Sequence, residues 1–139
     1  MSLDVADKLA IHELMARIQF GYDERELDML RACFAEDAVF TMRIAGGDLI
    51  GPFEGIEGIM GLMTGAMDEQ TDVRRHVISN IFFQENDDGS PLVVSSLTLM
   101  ATENGEIQLL SAGIYRDSVV QVDGDWKISK RHLELDRPY

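Results

Sequence analysis

Apolar residues near the start of the chain recur at steps of three and four positions. They are Ile11, Leu14, Met15, Ile18 and Tyr22. Because an α-helix turns once every 3.6 residues, this spacing places all of them along one side of a helix. The pattern predicts a helix over residues 4–21 that packs on one side against the rest of the protein.

Two further helices are predicted by the same kind of pattern. Asp23 is suited to be the N-cap of the second helix, and Glu26 three residues later completes a capping-box pattern. The buried stripe of this helix would be Leu27, Leu30 and Phe34. A third helix, interrupted by glycines, is expected over residues 55–67. Its apolar side chains are Ile56, Ile59, Met60, Met63 and Met67.

Between the second and third helices the pattern changes to the two-residue period of a strand. Residues 38–44 form a predicted strand, and Gly46-Gly47-Asp48 a turn. Beyond Asp72, short polar turns such as Asn104-Gly105 and Asp123-Gly124 separate apolar runs. These dipeptides accept the positive φ of tight hairpins. The predicted strands are 73–85, 91–103, 106–122 and 125–136, which are long enough to require a twisted, curved antiparallel sheet.

Apolar residues occupy both faces of these long strands. Strict alternation places His76, Ile78 and Phe82 on one face, and Val77, Ile81 and Phe83 on the other. Three helices of modest length can cover only one face of so long a sheet. We therefore expect a second copy of the chain to cover the outer face, forming a homodimer.

Charge and length restrict the kind of protein and the kind of partner. The 139 residues carry 12 Lys and Arg against 25 Asp and Glu, a net charge of −13. Such a chain is repelled by phosphate backbones and anionic lipids, so neither nucleic acid nor a membrane is an expected partner. A single domain, residues 1–139, is predicted. The first residues do not resemble a secretory signal, and no apolar run approaches the roughly 20 residues of a membrane helix, so a cytoplasmic location is expected.

Three side chains suited to proton transfer occur far apart in the sequence. Tyr22 and Asp23 end the first predicted helix, and His76 follows two arginines at the start of an apolar strand. A phenol, a carboxylate and an imidazole that meet in one pocket would form a proton-transfer site. Each has a structural alternative: Tyr22 could cover the pocket, Asp23 could only cap a helix, and His76 could be a hydrogen-bonded core residue.

The other polar side chains have simpler explanations. His12 is expected in solvent, while His132 shares strand parity with Trp126 and Ile128, which allows it an inward position. Three dispersed histidines and the single Cys33, expected to be buried, predict neither a metal site nor a disulfide. The basic group Lys127, Lys130 and Arg131 is expected to offset acidic neighbours.

The order of the elements resembles a known fold. Three helices and a long curved sheet, with a short strand after the second helix, resemble the cone-shaped fold of the nuclear-transport-factor-two-like superfamily. The passages that carry the resemblance are Tyr22-Asp23-x4-Asp28-x-Leu30-Arg31, Phe34-Ala35-Glu36-Asp37-Ala38-Val39-Phe40, Arg75-His76-Val77-Ile78-Ser79-Asn80 and Gly113-x-Tyr115-x-Asp117-x5-Asp123-Gly124-x-Trp126-x-Ile128. The chain is most similar to the SnoaL-like group, which includes polyketide cyclases, scytalone-type dehydratases, ketosteroid isomerases and beta subunits of ring-hydroxylating dioxygenases. The resemblance implies an α+β fold in which three N-terminal helices pack on a curved, mixed sheet around an apolar pocket.

The resemblance to scytalone-type dehydratases also implies site residues. Tyr22 and Asp23 match the tyrosine and aspartate at the mouth of that pocket, and His76 matches the first catalytic histidine. Other positions differ. Where those enzymes have a second tyrosine this chain has Met42, and where they have a second histidine it has Ser95 or Ser96, depending on the register. A serine and an asparagine of the family are replaced by Gly113 and Tyr115.

We therefore predict a small cofactor-independent lyase or isomerase, dehydratase- or cyclase-like, that acts on a hydrophobic carbonyl compound. His76, polarised by Asp23, would take a proton from carbon beside the carbonyl, and Tyr22 would donate a hydrogen bond to the developing enolate. The expected substrate-binding residues are Phe40, Met42, Met63, Ile78, Ser96 and Tyr115. The methionines among them could equally be ordinary core residues. The alternative function is a non-catalytic ligand-binding or assembly module that resembles a dioxygenase beta subunit.

Overall fold

The computed structural model describes residues 2–139, which form three helices and six strands. The helices are α1 (Val5–Asp23), α2 (Leu27–Ala32) and α3 (Gly55–Glu69). The strands are β1 (Phe34–Ile44), β2 (Ile50–Glu54), β3 (Val73–Glu85), β4 (Pro91–Glu103), β5 (Glu106–Val122) and β6 (Asp125–Leu135). The four long strands and the three helices are confirmed, whereas β2 was not predicted and β1 begins four residues earlier than expected. No helix among the described residues is long and apolar enough to cross a membrane.

The six strands form one mixed sheet in the order β2-β1-β6-β5-β4-β3. Every neighbouring pair is antiparallel except β1 and β6, which run parallel. The helices pack on one face, with α1 mainly against β3 and α3 against β1. The predicted α+β architecture is therefore confirmed.

The core lies between the helices and this inner face of the sheet. Its fully buried apolar side chains include Ile11, Met15, Ile18, Leu30, Ile59, Val93 and Ile128. The predicted burial of Cys33 is also confirmed, because this residue is only 3% exposed. Burial raises the pKa of the Cys33 thiol to about 11, so the thiolate is scarce at neutral pH.

One residue of β3 breaks the alternation of side chains along the strand. Asn80 has φ +55°, and the pairing of β3 with β4 shifts register around it. This is a β-bulge, and asparagine tolerates the left-handed conformation better than most residues. Beyond the bulge, Ile81 and Phe83 join His76 on the inner face, while Phe82 is exposed on the outer face. The faces that strict alternation predicted for Ile81, Phe82 and Phe83 were therefore wrong.

A second register shift, between β5 and β6, determines which way His132 points. Past this shift, Leu133 and Leu135 are buried on the inner face and His132 faces outward. Nδ1 of His132 lies 2.7 Å from the Thr41 hydroxyl oxygen, and Nε2 lies 2.9 Å from a carboxylate oxygen of Glu134. The inward position considered for His132 is therefore wrong.

Candidate functional site

Asp23 and His76 form a close pair where the end of α1 meets the start of β3. One Asp23 oxygen accepts the backbone N–H of His76 at 2.7 Å, and the other lies 2.5 Å from Nδ1 of the ring. The side chains are only 6% and 12% exposed, so little water competes for these bonds. Because a carboxylate requires a proton on Nδ1, the neutral imidazole in this arrangement has its lone pair on Nε2.

This pairing also explains why Asp23 does not cap α2. The helix α1 continues through Asp23, and α2 begins after Glu26, whose side chain makes no capping bond. Arg25, with φ +56°, turns the chain between the two helices. The predicted capping box of Asp23 and Glu26 is therefore wrong, since both carboxylate oxygens of Asp23 are used by His76.

Tyr22 lies beside the imidazole with its hydroxyl group still able to donate. Its ring meets that of His76 edge-on, with 4.9 Å between centroids. Gln70 Nε2 donates to the Tyr22 oxygen at 2.6 Å, so the phenolic proton is not used by this bond. Burial raises the pKa of the Tyr22 phenol, which keeps it protonated. Tyr22 can therefore donate a hydrogen bond to a ligand next to His76.

Tyr22 and His76 line a cavity of about 120 Å³ between the helices and the inner face of the sheet. An apolar cavity of roughly 150 Å³ holds one benzene molecule, so the enclosed part of this cavity suits about one ring. Because the cavity is partly open to solvent, the rest of a larger ring compound can extend through the opening. The apolar part of the lining is Ile18, Phe40, Met42, Leu62, Met63, Ala66 and Leu133. The polar part is Gln19, Tyr22, His76, Tyr115, Arg131 and Tyr139.

Of the six residues expected to bind substrate, the structure places four on the cavity wall. These are Phe40, Met42, Met63 and Tyr115. Ile78 is partly buried against the core and does not line the cavity. Ser96 lies on the outer face, since Ser95 is the one paired with inward-facing Tyr115 and completely buried. The choice of Ser96 is therefore wrong, because the register puts Ser95 on the inner face.

A buried ion pair lies at one side of the cavity, and we call this region, formed by Gln19, Tyr115, Asp117 and Arg131, the floor. Arg131 donates from Nε and Nη2 to the two Asp117 oxygens at 2.8 and 3.1 Å. The side chains are 2% and 0% exposed. The guanidinium carbon lies 3.9 Å from the centre of the Tyr115 ring. Arg131 is therefore held by two hydrogen bonds and by an aromatic face.

The charges of the floor depend on each other. Burial raises the pKa of the Asp117 carboxyl, and the guanidinium of Arg131 opposes that rise. Burial is the largest single influence on Arg131 and by itself would lower its pKa, but the charge of Asp117, the Tyr115 phenol and the hydrogen bonds to Asp117 together outweigh burial and raise the pKa. Since the guanidinium keeps its proton and its double hydrogen bond favours a carboxylate, both groups are ionised and together neutral.

Gln19 is the second polar group of the floor. It is 5% exposed and lies close enough to the Tyr115 phenol to lower the pKa of that phenol, yet its Nε2 makes no hydrogen bond of normal length and angle with a described residue. Neither Gln19 nor Arg131 was predicted as a site residue. Their positions carried a signal, because Gln19 stands three residues before Tyr22 inside the apolar stripe, and Arg131 shares strand parity with Leu133.

Comparisons with known proteins agree with the fold. Residues 4–132 match the family model of the SnoaL-like domain. Aln2 from a Streptomyces species is 23% identical with a TM-score of 0.80, over 98% of this chain and 95% of Aln2. A Catenulispora acidiphila protein in complex with S-DNPA is 22% identical with a TM-score of 0.80, over 96% of each chain. ActVI-ORFA from Streptomyces coelicolor is 18% identical with a TM-score of 0.78, over 93% of this chain and 96% of that one.

No curated protein matches the sequence, and at these identities the solved structures show a shared fold rather than a shared reaction. The family match, however, spans nearly the whole chain and covers the passages on which the resemblance was based. The chain therefore belongs to the SnoaL-like domain family and has the cone-shaped nuclear-transport-factor-two-like fold.

Proposed function

We propose that this protein is a cofactor-independent lyase or isomerase that removes a proton from the carbon beside the carbonyl group of a hydrophobic compound. The observation that supports this most directly is the 2.5 Å contact between Asp23 and Nδ1 of His76. With Nδ1 engaged, Nε2 is the ring nitrogen available to act as a base toward the cavity that His76 lines.

The proposed first step is common to several reactions. Nε2 of His76 takes the proton, and the electrons of the broken C–H bond form the carbon–carbon double bond of an enolate. The Tyr22 hydroxyl donates to the enolate oxygen, while Asp23 stabilises the imidazolium. If the His76 imidazolium then gives its proton to a β-hydroxyl group, the C–O bond breaks, water leaves and the overall reaction is a dehydration. Return of the proton to another carbon gives an isomerase, and attack on a second carbonyl gives a cyclase.

The first step can be tested before the natural substrate is known. We expect the protein to accelerate deuterium uptake from D2O at the carbon beside the carbonyl of 1-tetralone or 2-tetralone by at least about 100-fold, the effect of a positioned general base. Proton NMR measures the exchange, with free imidazole at equal concentration as the control. A binding module would bind these ketones without accelerating exchange, and that result would contradict the proposal.

We also propose that two copies associate through the outer face of the sheet. Val77 and Phe82 of β3 are 45% and 49% exposed there, an apolar area that a second copy would cover. Sedimentation equilibrium at micromolar concentration should give twice the mass of one chain. Phe82→Glu should give monomers, whereas Phe20→Glu, at an equally exposed phenylalanine of α1, should remain dimeric. A monomeric wild-type protein would be incompatible with this assembly.

A further inference from the structure

We infer that the floor of the cavity is a second ligand-binding element, in which Nε2 of Gln19 and Nη1 of Arg131 donate hydrogen bonds to a neutral carbonyl oxygen. The inference deepens the proposed function and rests on it, because it adds a requirement on the substrate. One oxygen of the substrate meets Tyr22 beside the base, and a second, non-reacting carbonyl meets the floor. The preferred substrates would be small cyclic compounds with two carbonyl groups.

The first observation behind this inference is the unpaired nitrogen of Gln19. A buried amide nitrogen without a partner destabilises a folded protein, so such groups are rare in native structures. Gln19 is 5% exposed, its Nε2 has no partner among the described residues, and its side chain lines the cavity. A ligand oxygen in the cavity would supply the missing acceptor.

The second observation is the way in which Arg131 is held. Nε and Nη2 bond Asp117, and the guanidinium carbon lies over the Tyr115 ring, so the group has little freedom to turn. No described residue accepts a hydrogen bond from Nη1, although Arg131 lines the same cavity as Gln19. A fixed donor that faces a cavity is suited to bind a ligand oxygen.

The charge of the floor selects the kind of oxygen. The Arg131–Asp117 pair is neutral as a whole, so the floor offers donors without net positive charge to balance an anion. A carboxylate would bring a second buried negative charge close to Asp117. A ketone or quinone carbonyl accepts hydrogen bonds without that cost, and it is therefore the favoured ligand group.

The spacing of the donors limits the shape of the ligand. Gln19 and Tyr22 are three residues apart on α1, which corresponds to about 4.5 Å along the helix axis. They project from neighbouring positions on one helix face into the same cavity. Two oxygens on one side of a small ring system could therefore meet both residues.

The inference can be tested by binding alone, with probes that cannot react. The probes are 2,2-dimethylindane, 2,2-dimethylindan-1-one and 2,2-dimethylindane-1,3-dione, which share one skeleton and carry no, one and two carbonyl groups. None has a hydrogen on the carbon beside a carbonyl, so binding is independent of proton abstraction. Titration calorimetry should show the dione binding at least about tenfold more tightly than the monoketone, the effect of the hydrogen bonds that the second carbonyl accepts from Gln19 and Arg131.

Variants then assign this difference to the floor. Gln19→Leu should reduce the preference for the dione over the monoketone to about a fifth of the wild-type value, the effect of one lost hydrogen bond, because Arg131 still donates. Gln19→Met provides a second replacement of similar length. Both should melt at or above the wild-type temperature, since each removes an unpaired buried group. Gln108→Leu, at an exposed glutamine of β5, should keep the full preference.

The outcomes separate this inference from the proposed function. Equal affinity for dione and monoketone, no binding of any probe, or a preference that is undiminished in both Gln19 variants would overturn the floor site. Failure of deuterium exchange with a retained dione preference would instead remove the proposed chemistry and leave the floor site in place.

Discussion

Asp23→Asn is expected to slow proton abstraction by about 10²- to 10⁴-fold, as measured by deuterium uptake into 1-tetralone. The asparagine oxygen can still accept the backbone N–H of His76, so the junction of α1 and β3 should be preserved. The amide nitrogen, however, can donate to Nδ1 and thereby favour the tautomer that carries its proton on Nε2. That tautomer has no free lone pair toward the cavity, and it lacks the carboxylate that stabilises the imidazolium.

The neighbouring residue Glu24 provides the matched control. Its carboxylate pairs with Arg75 at 2.7 Å, and both side chains are more than two-fifths exposed. Glu24→Gln removes the same charge one position away, without contact with the His76 ring, and should leave the exchange rate unchanged. If Asp23→Asn exchanges as fast as wild type and is equally stable, Asp23 only fixes the start of β3 and does not serve catalysis. If both variants are equally slow, the effect is one of overall charge.

We expect Arg131→Met to lower the free energy of unfolding by about 3–5 kcal/mol, the usual cost of removing one partner of a buried ion pair. It leaves the Asp117 carboxylate completely buried without the guanidinium that pairs with it. Because burial raises the pKa of Asp117 and Arg131 no longer opposes the rise, the carboxyl in the variant takes up a proton more readily than in the unfolded chain. The loss of stability should therefore be smallest at low pH and should grow as the pH rises above the ordinary value of 3.8.

A double variant tests whether the buried charge is the cause. Arg131→Met combined with Asp117→Leu removes both charges, and apolar replacement of a buried ion pair is often nearly neutral. Urea unfolding over a range of pH should show that the double variant regains most of the lost stability and has little of the pH dependence. A single variant as stable as the double one at neutral pH would show that water reaches Asp117.

The long strands were predictable because their ends are marked chemically. The turn dipeptides Asn104-Gly105 and Asp123-Gly124 adopt positive φ in the structure, as expected for tight hairpins. The faces of β3 were not predictable, because the bulge at Asn80 has no signature in the apolar pattern. A single residue in the left-handed conformation reversed the assignment of every side chain after it.

Only the site residues that match the family pattern could be predicted from the sequence. Tyr22 and His76 came together as the family implied, whereas the helix-capping role of Asp23 failed because a tertiary partner uses its oxygens. The chain has a true capping box at Asp4 and Asp7, because Trp126 bonds one Asp7 oxygen and leaves the other to accept the backbone N–H of Asp4. Gln19 and Arg131 were recognisable as polar residues within apolar patterns. The pattern alone, however, does not show whether such a residue lines a cavity or bonds a neighbour in the core.

The parallel pairing of β1 with β6 has a consequence for how the chain is made. Thr41 and His132, paired across these strands, are 91 residues apart. At a synthesis rate of about 5–20 residues per second, β1 waits roughly 5 to 20 seconds for its central partner. During that time, the edge of β1 that will pair with β6 is open to other chains. The nascent protein is therefore most exposed to aggregation just before β6 leaves the ribosome.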